Sequence, residues 1–246
     1  MPFDILDVDI TIAAIMFLFT SYLDIRKREV EDKVWIVFGI IGAASLVYQG
    51  VTSTVDWFSV GISIGLTTLI GLGLFYFGFY GGADGKALIV FSLFIPLYNP
   101  AIGLYSLAPI IVLTNGVLIS MLLPAALLTL NISRLIRKQP IFEGFEEPLY
   151  RKVLACLLGY KQLDRPRSFQ FSLERKELAE TGSGQKEDKP QKKFDFSLAR
   201  DDFEDSPNTW VTPGIPLLVF FTAGFFSLLL YGDLVIGLIH FFVQIV

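Results

Sequence analysis

The sequence predicts an all-α polytopic membrane protein with six transmembrane helices and a small mixed α/β cytoplasmic domain inserted between helices five and six. Three observations carry that prediction. Of 246 residues, 53% are hydrophobic and the mean hydropathy is +0.58, too apolar for an ordinary soluble domain. Charge is missing from long runs: none lies between Trp57 and Ala83, and none between Ala87 and Ser133. The basic residues, finally, fall in only three places along the chain. Uncharged runs above about 18 residues read as spans, because roughly 20 helical residues cross the hydrocarbon layer. A helix satisfies its own backbone hydrogen bonds there.

The first span, 5–24, begins after acids (Asp4, Asp7 and Asp9 nearby) rather than the basic region of a cleaved leader, so it reads as a retained helix. The second and third follow at 33–51 and 57–79. The fourth, 86–104, contains Pro96, Asn99 and Pro100, so a short or kinked helix is expected. The fifth covers 108–131 and the sixth 212–231. The tail after Asp233 is too short to span and is expected in the outer interface or as an extension of the last helix.

Orientation follows from the basic residues. Arg26, Lys27, Arg28 and Lys33 follow span one, and Lys86 follows span three. The other fifteen Lys and Arg residues lie between Arg134 and Arg200, after span five. The alternate loops have none. Basic loops stay in the cytoplasm, which predicts a multi-pass protein of the cell membrane with both termini outside.

The expected domains are therefore a membrane domain (1–131), a cytoplasmic domain (132–209), and a sixth helix with its outer tail (210–246). In the cytoplasmic domain, 147–163 carries Leu149, Val153, Leu157 and Tyr160 at helical spacing, predicting an amphipathic helix. SFQFSLER (168–175) and KFDFSLAR (193–200) alternate apolar and polar residues, which predicts an antiparallel strand pair. The polar stretch 181–193 would join them. One cysteine, Cys156, excludes an internal disulfide and a Cys-based zinc cage. His240, near the C-terminus, is given no role.

Two acids stand apart. Asp24 lies at the cytoplasmic end of span one and Asp84, in YGGADGKAL, at the cytoplasmic end of span three. Counting from Asp9 as the outer boundary, 14 uncharged residues precede Asp24, roughly 21 Å of helix. That leaves Asp24 short of the far side of a core roughly 30 Å thick. An intramembrane acid is costly and marks a functional candidate. Gly81, Gly82 and Gly85 would leave space beside Asp84 and free its backbone. Lys86 would open the first turn of span four and place Asp84 near a helix N-terminus, whereas Asp24 would have only Arg26 and Lys27 nearby. Two carboxylates sharing a site split their pKa values, so one proton is held between them. One ionised and one protonated acid is what an aspartyl protease needs. Plainer readings stand beside this: a glycine turn with a helix cap for Asp84, and an interfacial ion pair with Arg26 or Arg28 for Asp24. Glu29, Glu31 and Asp32 read as solvated charges.

LDIRKREVEDKVW around Asp24 and GGADGK around Asp84 resemble the two signatures of the GxGD-type membrane aspartyl proteases. Within them the preflagellin branch of the type IV prepilin peptidase family is nearest. Its looser glycine motif accommodates Gly81-Gly82-Ala83-Asp84, with Ala83 in place of the second glycine. WVTPGIP (210–216) also resembles this branch. The resemblance implies that Asp24 and Asp84 form the catalytic pair, without metal or cofactor. It implies flagellin or pilin-like precursors as substrates, with short basic leaders cut at the cytoplasmic face. Membrane lipid is the other expected partner, and nucleic acid is not one. The single cysteine leaves no place for the tetra-cysteine domain of bacterial relatives. Two other classes remain: a proton- or cation-coupled transporter using the same acids, and a metal-dependent phosphotransferase. Against the first, no acid falls mid-span and no inverted repeat is visible. Against the second, no DxxD-type cluster accompanies Asp84.

Overall fold

The computed structural model describes residues 5–53, 55–76, 81–162, 169–177, 191–196 and 208–245. The helices are α1 (Ile5–Lys27), α2 (Asp32–Thr52), α3 (Trp57–Tyr76), α4 (Gly82–Phe94), α5 (Ala108–Ser120), α6 (Leu122–Ile136), α7 (Leu149–Leu158), α8 (Leu217–Leu230) and α9 (Leu234–Ile245). The strands are β1 (Tyr160–Lys161), β2 (Gln170–Ser172), β3 (Glu174–Glu177), β4 (Gln191–Phe194) and β5 (Trp210–Pro213). Two compact units result: Met1–Ser120 with Pro216–Val246, and Met121–Ile215.

Helices α1, α2 and α3 and the stretch Ala108–Ile136 are long and apolar enough to cross a membrane. The pair α8 and α9, bent by 60° at its break, makes a fifth if it is one broken span. The chain is a mostly helical, multi-pass membrane protein with a small sheet region. The expected fourth span differs most. Its helix α4 has 13 residues, about 20 Å, and stops at Ile95. A residue before proline is pushed out of the helical region, and Ile95 has φ −132° and ψ 73°. Beyond it, polar backbone groups find partners locally. The Tyr98 N–H donates to Ser106 O at 2.8 Å, Leu97 bridges Leu107, and the Ser63 hydroxyl donates to Pro96 O at 2.6 Å. Irregular backbone at membrane depth is stable only where protein covers it. Here α4 packs against α1, α2, α3, α5 and α8 and buries Leu88, Val90, Phe91 and Phe94. A helix wrapped on all sides has no need to match the bilayer in length.

Helix α1 begins four residues before Asp9, at Ile5, so a helical length counted from Asp9 does not give the depth of Asp24. Asp9 is fully buried, accepting hydrogen bonds from Ser45 Oγ (2.6 Å) and Gln49 Nε2 (2.7 Å) one turn apart on α2. A buried carboxylate needs such partners; here they tie α1 to α2.

In the second unit β5 pairs antiparallel with β1 on one side and β2 on the other. The strand pair expected from 168–175 and 193–200 is met only in part: β3 pairs antiparallel with β4, with Arg175 opposite Lys193, while β2 pairs with β5 instead. Residues 191–193, expected in the joining stretch, belong to β4, and 181–190 and 197–200 lie outside the described residues. The core holds Ile141, Phe145, Leu173, Phe194 and Trp210. Trp210 is completely buried, donates from Nε1 to Ile141 O at 2.8 Å and stacks on Phe142. The amphipathic helix is shorter than predicted, and Tyr160 has left it for β1. Its apolar face does not turn inward: Leu149 and Val153 are exposed, while Ala155 and Cys156 face the core.

Candidate active site

Three aromatic rings lock α1, α4 and α8 together. Phe17 and Phe91 stand 5.3 Å apart, Phe17 and Phe225 5.4 Å, and Phe91 and Phe225 5.5 Å between ring centroids. All three are completely buried. Asp24 lies seven residues after Phe17 and Asp84 seven residues before Phe91. Seven residues are nearly two helical turns, about 10.5 Å along the axis and about 20° from the starting direction. If α1 and α4 run antiparallel, both acids therefore rise to the same level above the aromatic contact, on the facing sides. If the helices were parallel, the acids would lie about 21 Å apart along the axis. The charge of Asp24 acts on Asp84, which selects the antiparallel arrangement.

Helix α8 completes the site, and sequence reasoning missed it. It pairs with α1 in antiparallel register: Phe17 against Phe225, then Ser21 Oγ against Thr222 Oγ1 at 2.6 Å. The next step brings the backbone N–H of Leu218 to the Asp24 carboxylate. Leu218 lies in the first turn of α8, where amides lack helical partners and favour a negative charge. Thr222 reinforces the pairing by donating to Phe17 O (3.1 Å) and Leu218 O (2.9 Å). So Asp24, expected to lack help from any helix end, sits against the N-terminus of another helix. The Arg28 guanidinium acts on it as well. Arg28 occupies the left-handed region (φ 57°) immediately after α1, a conformation costing roughly 1–2 kcal/mol for a residue with a side chain. Its N–H still donates to Asp24 O at 3.1 Å.

Asp84 is placed differently. Helix α4 starts at Gly82, not at Lys86, so Asp84 lies inside the first turn. Its N–H donates to Gly81 O, and its Oδ2 accepts from the Gly81 N–H, both at 3.1 Å. This reciprocal cap occupies one carboxylate oxygen. Among the described residues no group of three or more acids, histidines and cysteines could hold a metal ion.

The glycines do other work than expected. Gly81 has φ −66°, and neither Gly82 nor Gly85 adopts positive φ, so none frees the backbone in a way closed to other residues. Gly85 meets Gly71 where α4 crosses α3. A Cβ there would lie 3.0 Å from Gly71 O. Ala83 packs against the helical core. Lys86 is exposed and reaches Asp32 Oδ1 at 2.5 Å, tying α4 to the start of α2.

Fold and site together define a polytopic membrane protein with two carboxylates converging at one end of its helical bundle. Residues 11–132, which include both acids, match the type IV leader peptidase family. Over 245 residues the chain is 28% identical to a preflagellin peptidase of Methanocaldococcus jannaschii, covering 94% of this chain and 97% of that one. Preflagellin peptidases of Methanococcus maripaludis and Methanococcus voltae are each 26% identical. They cover 92% and 90% of this chain, and 96% and 94% of their own lengths. Across the segment that carries both acids the chain is thus similar to the type IV leader peptidases, and that similarity indicates a peptidase.

Proposed function

We propose that the chain is an aspartyl endopeptidase that removes short basic leader peptides from flagellin or pilin-like precursors, with Asp24 and Asp84 as its catalytic pair. The observation that carries this reading is the shared level of the two acids, each held by a different helix N-terminus. Asp24, beside the Leu218 amide and Arg28, is the ionised member and takes a proton from water. Asp84, the protonated member, donates a hydrogen bond to the scissile carbonyl oxygen. The oxygen of that water bonds to the carbonyl carbon. The carbonyl oxygen takes the Asp84 proton, giving a neutral gem-diol. The proton that Asp24 took from water then passes to the leaving nitrogen as the C–N bond breaks, and the hydroxyl returns its proton to the acid pair as the new carboxyl forms.

The site lies at the cytoplasmic face, with both termini outside. The basic residues after α1, α3 and α6 support that orientation. Six crossings follow, the fourth being the short central passage past Lys86. A precursor's hydrophobic helix would stay in lipid, its basic leader drawn toward the acids at the interface.

Purified protein mixed with a precursor bearing a basic, glycine-ended leader tests this. Cutting is expected with or without EDTA, and is abolished separately by Asp24→Asn and Asp84→Asn. Near wild-type cutting by either variant removes the dyad. Normal cutting by both, with altered proton or cation flux, favours a transporter.

A further inference from the structure

Helix α7 is built inside out. At 100° per residue, Leu149, Val153, Leu157, Tyr150, Leu154 and Leu158 occupy one continuous half of its circumference, and every one is apolar. Five of these are exposed, Leu149 at 77% and Tyr150 at 71%. The other half carries Arg151, Lys152, Ala155 and Cys156, and this is the half turned toward the unit's own core. Arg151 pairs there with Glu147 at 3.2 Å and hydrogen-bonds Phe194 O. Lys152 lies 5.6 Å from the centre of the Phe142 ring. Water would favour the opposite arrangement, since exposed apolar surface costs roughly 25 cal/mol per Å².

The height of the helix is set by Asn131 on α6. Its side-chain amide donates to Cys156 O (3.1 Å) and Gly159 O (2.7 Å), pinning the C-terminal end of α7 to α6. Asn131 precedes the end of α6 by five residues, about 7.5 Å, and so falls within the membrane-length stretch Ala108–Ile136. Next to it α6 exposes Leu130, Ile132, Leu135 and Ile136. Exposed apolar side chains thus lie both on α7 and on the part of α6 that Asn131 ties to it. With ten residues, about 15 Å, α7 is too short to cross.

We infer that α7 is an interfacial helix, seated with its Leu149–Leu158 apolar half in the leaflet at the Ile136 end of α6, so that the Met121–Ile215 unit is anchored to the bilayer along this helix as well as through α6. Such helices lie in the interface plane with their apolar face among the upper acyl carbons. Lys and Arg are directed away from lipid here because they serve the unit's interior.

The unmodified chain, reconstituted in phosphatidylcholine–phosphatidylglycerol vesicles containing a diazirine phospholipid, supplies the first test. Photolysis should label peptide 149–158, as it labels α3. Labelling of α3 with none in 149–158 overturns the inference. A nitroxide placed singly at Leu149, Val153 or Leu154 in a Cys156→Ala background supplies the second. Its relaxation should respond severalfold more to oxygen than to a water-soluble nickel chelate. Strong response to the chelate would mean a solvated face. Weak response to both would mean a protein cover, such as a second copy or the precursor. Either result overturns lipid as the occupant.

Discussion

Gly85→Ala separates helix packing from substrate access as the reason for glycine beside Asp84. The new Cβ would stand 3.0 Å from Gly71 O and 3.4 Å from Gly71 C. Both are backbone atoms of a packed helix and cannot rotate aside. Overpacking of this kind costs about 1–3 kcal/mol. Alanine returns up to about 1 kcal/mol through helix propensity, and less in a first turn. The net loss is about 1–2 kcal/mol, or about 2–8 °C in unfolding midpoint at about 2–4 °C per kcal/mol for a chain this long. Pushing α4 off α3 by a few tenths of an ångström also moves Asp84, the adjacent residue, and a loss of about tenfold in cleavage rate is expected. Gly82→Ala is the control, because its Cβ meets only the Phe75 ring at 3.4 Å, and its midpoint should stay level or rise. Thermal unfolding in detergent by circular dichroism, alongside precursor cleavage, reads both. A Gly85→Ala protein with wild-type midpoint and rate would sink the packing argument. Lost cleavage at unchanged midpoint in both variants would instead assign the glycines to the substrate.

The role of Asp84 as the protonated member fixes the sign of a pH effect. The proton it donates is lost once the carboxyl ionises, so kcat should decline as pH rises and removes it, measured by precursor cleavage from acid to alkaline pH. Trp210→Phe keeps the stack on Phe142 but strands Ile141 O, whose partner is Trp210 Nε1 at 2.8 Å. The cost should be about 1–3 kcal/mol, read as a lowered midpoint. Cys156 is buried, and burial pushes its thiol up to about 11. Alkylation near neutral pH should be negligible in the folded protein and rapid once it is unfolded, followed by mass spectrometry.

The long uncharged runs determined the membrane class, because no other environment accepts them, and proline at 96 determined where α4 must stop. Asp24 and Asp84 could be singled out as isolated charges beside such runs. The register of α1 against α4 could not be read, since it depends on Phe17 and Phe91 meeting across more than seventy residues. Nor could the Leu218 amide be found, almost two hundred residues from Asp24 in the chain. WVTPGIP marked that region as familiar without showing what it touched. The backbone freedom expected of the glycines failed for a related reason: Gly85 packs against Gly71, and a sequence does not say which helix another will cross. Periodicity likewise revealed that α7 is two-faced but not which face turns inward. Local sequence sets which segments are helical and how apolar they are, because backbone hydrogen bonding and transfer from water act residue by residue. Which side chains meet is set by packing between distant segments, and both the convergence of Asp24 with Asp84 and the outward turn of α7 belong to that level.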